Sequence, residues 1–512
     1  MAISWGYSPK TEKYIPLGDF PADKYLIIAR QAIENLGWKL SHISSNGLIA
    51  YTGLSWQSYS EEISLRIESN FAVVKSECVG LQMWFNDYGK NKQNLAKFFH
   101  EFAYVEFHLK DIWEESLAQF HSFVLNQDND YFEKAPLAVK NKIKNVLYLF
   151  WPQKGYLATP IITWLNIFYF GFTFICTVIY FRYFFAKATV VDPALVVQKL
   201  EQLLLNLGAN NRKLVLNGQY WRLISYQFMH ASLLHLFFNL YALLYLGLMI
   251  ENKLGWRKFV FIYFFSGICG GLVSIIFHQE EILMGASGAI MGLYGAFIAL
   301  LLNKAYEKNA NKALLVSTLI VMILVLINGW FGRRTDNACH LGGVIAGFVS
   351  CCFLYVKPMN SSRIWARYAA TCVIGLAFAA GVIGFSPRYQ HEEFKKLSIE
   401  YAKNADAFNR VMTLKASLSK AEKIVFIEEN GLAPSRSNLE LVKKMKKLKL
   451  DKEDLFELDF KAQVAQQSYA VAQLMKKDIE SENYSYRKQV NEQMNKLIIF
   501  SATARDSLRK AD

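Results

Sequence analysis

The chain has 512 residues, 53% of them apolar and 15% aromatic, with a formal net charge of +14. That apolar content, with a positive mean hydropathy, excludes an ordinary soluble protein. The positive charge does not argue for nucleic acid as a partner, because much of the Lys and Arg flanks apolar runs or sits in a mixed-charge tail.

The opening Met1-Ala-Ile-Ser-Trp-Gly-Tyr lacks a basic stretch followed by an apolar one, so the N-terminal part is expected to stay unexported. Residues 1–150 read as an α+β accessory domain on the cytoplasmic side. Ala22–Leu36 has helical periodicity. Trp38–Ser44, Gly47–Thr52, Glu61–Glu68 and Phe71–Val79 read as short strands divided by turn signals such as Ser45-Asn46-Gly47. Asn91–Leu109 is again helical, and nothing in this region has catalytic spacing.

Residues 151–386 form the membrane block. Candidate spans are Ile161–Phe181, Ser232–Ile250, Phe259–Phe277, Ser287–Asn303, Ala313–Gly329, Cys339–Tyr355 and Tyr368–Phe385. Alternate connections carry Lys253, Arg257 and Lys258, then Lys304, Lys308 and Lys312, then Lys357, Arg363 and Arg367. The connection His278–Leu283 has no Lys or Arg, and only Arg333-Arg334 breaks the pattern. The positive-inside rule therefore predicts a cytoplasmic N-terminus and, after an odd number of spans, an extracytoplasmic C-terminus, as in a bacterial inner membrane. Within the long connection Lys187–Ser225, Leu195–Leu207 is amphipathic and suits the interface. Of the cysteines, Cys78, Cys176, Cys269, Cys339, Cys351, Cys352 and Cys372, none has metal-ligand spacing with histidine, and no metal is expected. Residues 387–512 are polar, Lys-rich and helix-prone, with breaks expected near Asn430-Gly431 and Pro434, and Lys443–Lys449 reads as a solvated helix face.

Polar side chains with chemical ability recur inside or beside these apolar runs, where they are costly unless they have a task. Ser287 lies between Gly285 and Gly288 and opens an apolar helix, whose unpaired N–H groups suit an anion. Alone it also fits a simple N-cap. His340 opens a later span, followed on one face by Gly343 and Gly347, while the serine's span offers Gly288, Gly292, Gly295 and Ala296. Two such helices can approach closely, bringing a nucleophile and a general base together. His235 and Asn239 share a helix face and can both donate to one oxyanion, whereas His230 reads as a loop anchor. Asp336 belongs to the loop before His340 and is not promoted to a triad.

Trp221-Arg222, His230…His235-Leu-Phe-Phe-Asn239, Gly285-Ala-Ser287-Gly288 and Asn337-Ala-Cys-His340-Leu-Gly-Gly343, in this order, resemble the rhomboid family of intramembrane serine proteases. The resemblance runs from about Leu200 to Tyr355. It implies a polytopic α-helical protein with a rhomboid-like six-helix core, the long extracytoplasmic connection being part of the fold, to which the apolar run Tyr368–Phe385 adds a seventh C-terminal span. It implies a Ser287–His340 dyad, with the Ser287 amide as a third oxyanion donor. Trp221 and Arg222 match the family's loop motif, and Glu251 stands near a Glu-x-Arg position where Lys253 replaces the arginine. Met291 stands where many members carry an aromatic residue. The implied partners are single-span transmembrane substrates and membrane lipid, with no metal or organic cofactor. An inactive relative that binds transmembrane clients and a transporter are the rival readings. The intact dyad and donor set argue against the first, and the lack of repeated halves argues against the second.

Overall fold

The computed structural model describes residues 9–55, 58–80, 82, 86–109, 113–124, 146–186, 193–279, 281–331, 335–355, 361–415, 417–481 and 483–511. The opening segment, Lys187, the Arg333-Arg334 pair and Lys357 lie outside these residues. The chain divides into two compact units, Met1–Ser386 and Pro387–Asp512.

The first unit begins with β1 (Lys10–Pro16), α1 (Ala22–Asn35), β2 (Lys39–Ser44), β3 (Gly47–Tyr51), β4 (Glu61–Glu68), β5 (Phe71–Cys78), α2 (Lys90–His108) and α3 (Trp113–Val124). The strands form one antiparallel sheet in the order β1-β5-β4-β3-β2. Successive side chains of a strand point to opposite faces, and β3 uses both. Leu48 and Ala50 pack with Leu26, Ile28, Ile33, Leu65 and Phe98 under the helices. Ile49 and Tyr51 point the other way and join Val79 in the core of the membrane helices. Gly80 lies against Ser317, where an added Cβ would sit 2.6 Å from the hydroxyl. The N-terminal α+β domain is thus packed onto the membrane bundle through one face of its sheet.

The bundle comprises α4 (Ala158–Phe185), α5 (Pro193–Asn206), the short α6 (Arg212–Leu216) and α7 (Arg222–Ser225), then α8 (Leu233–Leu254), α9 (Trp256–Phe277), α10 (Ser287–Leu302), α11 (Lys308–Phe331), α12 (Asn337–Leu354) and α13 (Ser361–Phe385). Among the described residues, six helices have the length and apolarity to cross a membrane: α4, α8, α9, α11, α12 and α13. The fourth expected span, α10, is the exception, with only 16 residues. At 1.5 Å per residue it covers about 24 Å, short of a hydrocarbon core of ~30 Å. When its Leu302 end reaches one boundary, its Ser287 end stops below the other. Its buried residues lie on every face, as a central helix requires.

The second unit is helical: α14 (His391–Asn409), α15 (Lys420–Ile427), α16 (Ala433–Met445), α17 (Lys452–Glu480) and α18 (Arg487–Ala511). The break expected at Asn430-Gly431 and Pro434 is instead a π-helical turn, Glu428–Leu432, that runs directly into α16. Pro434 is the second residue of α16 and can donate no bond back into the π-helical turn, which fits the irregular winding there.

Candidate active site

Ser287 is the first residue of α10 and is half-buried. The chain reaches it through Gly285, whose φ of 135° lies in the region that favours glycine. Gly285 also leaves no room for a side chain, since a Cβ there would lie 2.9 Å from Cε1 and 3.0 Å from Nε2 of His235. The same point is 3.7 Å from Ser287 Oγ, so the imidazole and the hydroxyl both border this glycine. Three backbone bonds hold the approach: Gly285 N–H donates to Tyr226 O at 2.9 Å, and Leu283 pairs with Asn210 in both directions at 2.9 Å. The long connection after α4 therefore shapes the serine loop. The N–H groups of Ser287 and Gly288 find no acceptor among the described residues.

His340 lies in the first turn of α12 and is 3% exposed. The contact between α10 and α12 is backbone on backbone. A Cβ on Gly343 would lie 2.1 Å from Gly288 O, and one on Gly347 would lie 1.9 Å from Gly292 O. Both partners advance together along the sequence, so the helices are parallel and Ser287 and His340 sit at the same end. No hydrogen bond joins the Ser287 hydroxyl to the His340 ring among the described residues, and His340 Nδ1 is buried without a partner. Met291 is buried one turn along α10. Asp336 N-caps α12 by accepting from Cys339 N–H at 2.8 Å, and its carboxylate makes no bond to the His340 ring.

The third contribution comes from the start of α8. Ser232 N-caps the helix by accepting from His235 N–H at 3.1 Å. Asn239 follows His235 by one turn and is buried, with Nδ2 unpartnered among the described residues. His230 precedes the helix, so helical spacing does not govern it, and its ring meets that of His235 edge-on at 5.1 Å between centroids. Its Nδ1 faces Phe228 O at 3.2 Å, while Nε2 is buried without a partner among the described residues. The histidine read from sequence as a loop anchor makes that bond and also adjoins the polar group.

The remaining residues fasten the frame. Arg222 is buried, donating to Ala209 O at 2.8 Å, to Leu205 O and to Gln219 Oε1, and lies 4.6 Å from the ring of Trp221. Glu251 is 1% exposed, and its carboxylate takes bonds from the N–H groups of Leu157, Ala158 and Thr159 at 2.6, 2.8 and 2.9 Å and from Thr159 Oγ1 at 2.8 Å. A buried carboxylate suits this position because it meets the positive end of α4 and satisfies its open donors. Lys253 lies 5.0 Å from the ring of Tyr306.

A half-buried hydroxyl beside open N–H groups at a helix start, with a buried imidazole at the same end of a parallel helix, is an arrangement suited to acyl transfer. A family model described as the Rhomboid domain matches residues 217–357. Rhomboid-like protease 1 of Toxoplasma gondii is 34% identical over 200 residues, covering 38% of this chain and 68% of that protein. RHOMBOID-like protein 5 of Arabidopsis thaliana is 38% identical over 156 residues, 30% of this chain and 50% of its own length. Rhomboid protease GluP of Bacillus subtilis is 30% identical over 195 residues, 36% of each chain. The chain belongs to the rhomboid family. It is a multi-pass membrane protein of a family made up generally of intramembrane serine proteases, which act on transmembrane substrates, although some members are inactive.

Proposed function

We propose that this chain is an active intramembrane serine endopeptidase, with Ser287 as nucleophile and His340 as general base. One observation carries the reading. His340 Nδ1, Asn239 Nδ2 and His230 Nε2 are buried with no partner among the described residues, His340 at the same helix end as the half-buried Ser287 and His230 against the His235 ring that borders Gly285. Each such group costs about 1–3 kcal/mol in a folded protein, so a cluster of them is retained where a ligand completes the bonds.

In the proposed reaction His340 takes the Ser287 proton as Oγ attacks the scissile carbonyl. The tetrahedral oxyanion accepts from Asn239 Nδ2–H, the His235 ring and the Ser287 N–H. His340 then gives its proton to the leaving amine, and water admitted to the half-buried serine hydrolyses the ester with His340 again as base. The Ser287–His340 bond is absent at rest, and catalytic hydrogen bonds commonly tighten only when substrate is bound. Substrates are single-span membrane proteins with a small residue before the cut and a locally unstable helix. Residues 1–150 form a cytoplasmic accessory domain, 151–386 the protease and 387–512 an extracytoplasmic helical region, the placement that the connection charges favour.

The test is cleavage of a single-span reporter substrate. Ser287→Ala and His340→Ala each abolish it with melting unchanged, and the double variant is no worse, since the two act as a unit. Substantial cleavage by Ser287→Ala overturns the assignment; binding without cleavage by the wild type favours an inactive client-binding protein. For orientation, a single cysteine near Ser437 reacts with an impermeant thiol reagent in intact cells and one near Ser45 does not. The reverse pattern inverts the proposed topology.

A further inference from the structure

The His340 ring has no side-chain hydrogen bond of its own among the described residues, so its direction depends on where the first turn of α12 is held. That turn is tied to the end of α9. Asp336 Oδ1 accepts from Cys339 N–H at 2.8 Å and faces His278 Nε2 at 3.1 Å, and Oδ2 accepts from the Ser274 hydroxyl. The other ring nitrogen of His278, Nδ1, faces Glu281 Oε2 at 3.0 Å, so an imidazolium donating at both positions matches both carboxylates. The end of α9 is itself anchored, because the buried Arg212 donates to the carbonyls of Ile275 and Ile276. One turn beyond Asp336, His340 N–H donates to Asp336 O at 3.1 Å.

We propose that Asp336 and His278 are positioning residues that set the place of His340 by clamping the first turn of α12 to the end of α9. An N-cap alone would need only the Cys339 bond. Here the same carboxylate also takes two side chains from around the end of α9, 62 and 58 residues away in sequence. The clamp is set against close packing further along the same helix pair, where a Cβ on Gly342 would lie 3.2 Å from Gly270 Cα and one on Gly270 would lie 3.4 Å from Gly343 N. Losing it frees the outer turn to shift while the inner contact holds. The proposal rests on the dyad reading for its effect on catalysis, but its structural half does not.

The experiment uses the full chain in detergent, with reporter cleavage and amide hydrogen exchange of residues 339–342 as two readouts. His278→Ala lowers kcat about 10-fold with KM within about twofold, as a small misplacement of a catalytic group does. His278→Gln, whose amide can donate to Asp336, recovers kcat to within about threefold. Exchange in the first turn of α12 speeds up about 10-fold in His278→Ala and in Asp336→Ala, while exchange in α8 is unchanged. Wild-type exchange at 339–342 in both alanine variants overturns the clamp, as does a loss of kcat without faster exchange there. A purely stabilising role lowers the melting temperature without changing kcat per folded molecule, and that result also overturns it. If Ser287→Ala still cleaves, the dyad reading fails on its own, and the exchange measurement alone decides the clamp.

Discussion

Replacing Gly343 by Ala tests how far activity depends on the backbone contact between α10 and α12. The new Cβ would stand 2.1 Å from Gly288 O, next to the proposed nucleophile. A carbon meets a carbonyl oxygen comfortably at ~3.3–3.6 Å, so the helices must part by about 1 Å. The oxygen belongs to a helical peptide and cannot rotate away. Overpacking of this kind costs about 1–3 kcal/mol of stability, which leaves a well-folded protein mostly folded. The catalytic effect is larger, because about 1 Å of displacement between reacting groups lowers a rate by roughly 100-fold. The assay is the initial rate of reporter cleavage per folded enzyme, with a thermal melt on the same preparation. A Gly343→Ala enzyme working within about threefold of wild type would show that the close approach does not set the Ser287–His340 geometry.

Removing an oxyanion donor by Asn239→Ala or His235→Ala lowers turnover by roughly 10- to 1000-fold with little change in substrate binding, and native rates in both would dismiss that role. Glu251→Gln turns an acceptor oxygen into an amide facing the N–H donors of α4, and a denaturant or thermal melt should register a loss of about 2–4 kcal/mol; a loss below about 0.5 kcal/mol would contradict the buried-carboxylate cap. The His278–Asp336 pair gives a pH dependence. Hydrogen bonding to Asp336 raises the His278 pKa above 6.5 despite burial. Burial pushes the Asp336 carboxyl up, but the bonds from His278, Ser274 and Cys339 N–H prevail and hold it below 3.8. The histidine's contribution is complete below pH 6.5 and fades as pH rises through its raised pKa, and the aspartate's is complete above pH 3.8 and fades as pH falls through its lowered one. The melting-temperature gap between wild type and His278→Gln is therefore widest in mild acid and narrows in alkali; a gap that widens with pH contradicts the ion pair.

Alternation and turn chemistry made β2 to β5 and the first two helices legible, because each buries a face with its own period. β1, Lys-Thr-Glu-Lys-Tyr-Ile-Pro, escaped because it is an edge strand with Tyr14 exposed, and only its pairing with β5 defines it. α3 escaped because Phe120 is its one fully buried side chain. The apolar run Leu48–Tyr51 was legible as a strand, yet nothing local says that Ile49 and Tyr51 face a membrane bundle. Around the site, the glycine rows carried their own signal, since small residues repeated at helical spacing mark a face that another helix can approach closely. The contact of His230 with His235 left no such trace, because it depends on where α8 begins. Nor did the bonds from Ser274 and His278 to Asp336, which join residues far apart in sequence through the end of α9.

The central claim is that Ser287 is an activated nucleophile, and an active-site-directed fluorophosphonate tests it without knowledge of the natural substrate. The detergent-solubilised wild-type chain should be labelled on a single peptide, at Ser287, with Ser287→Ala unlabelled and His340→Ala labelled far more slowly. Failure of the folded wild type to react, or labelling that persists in Ser287→Ala, would contradict it.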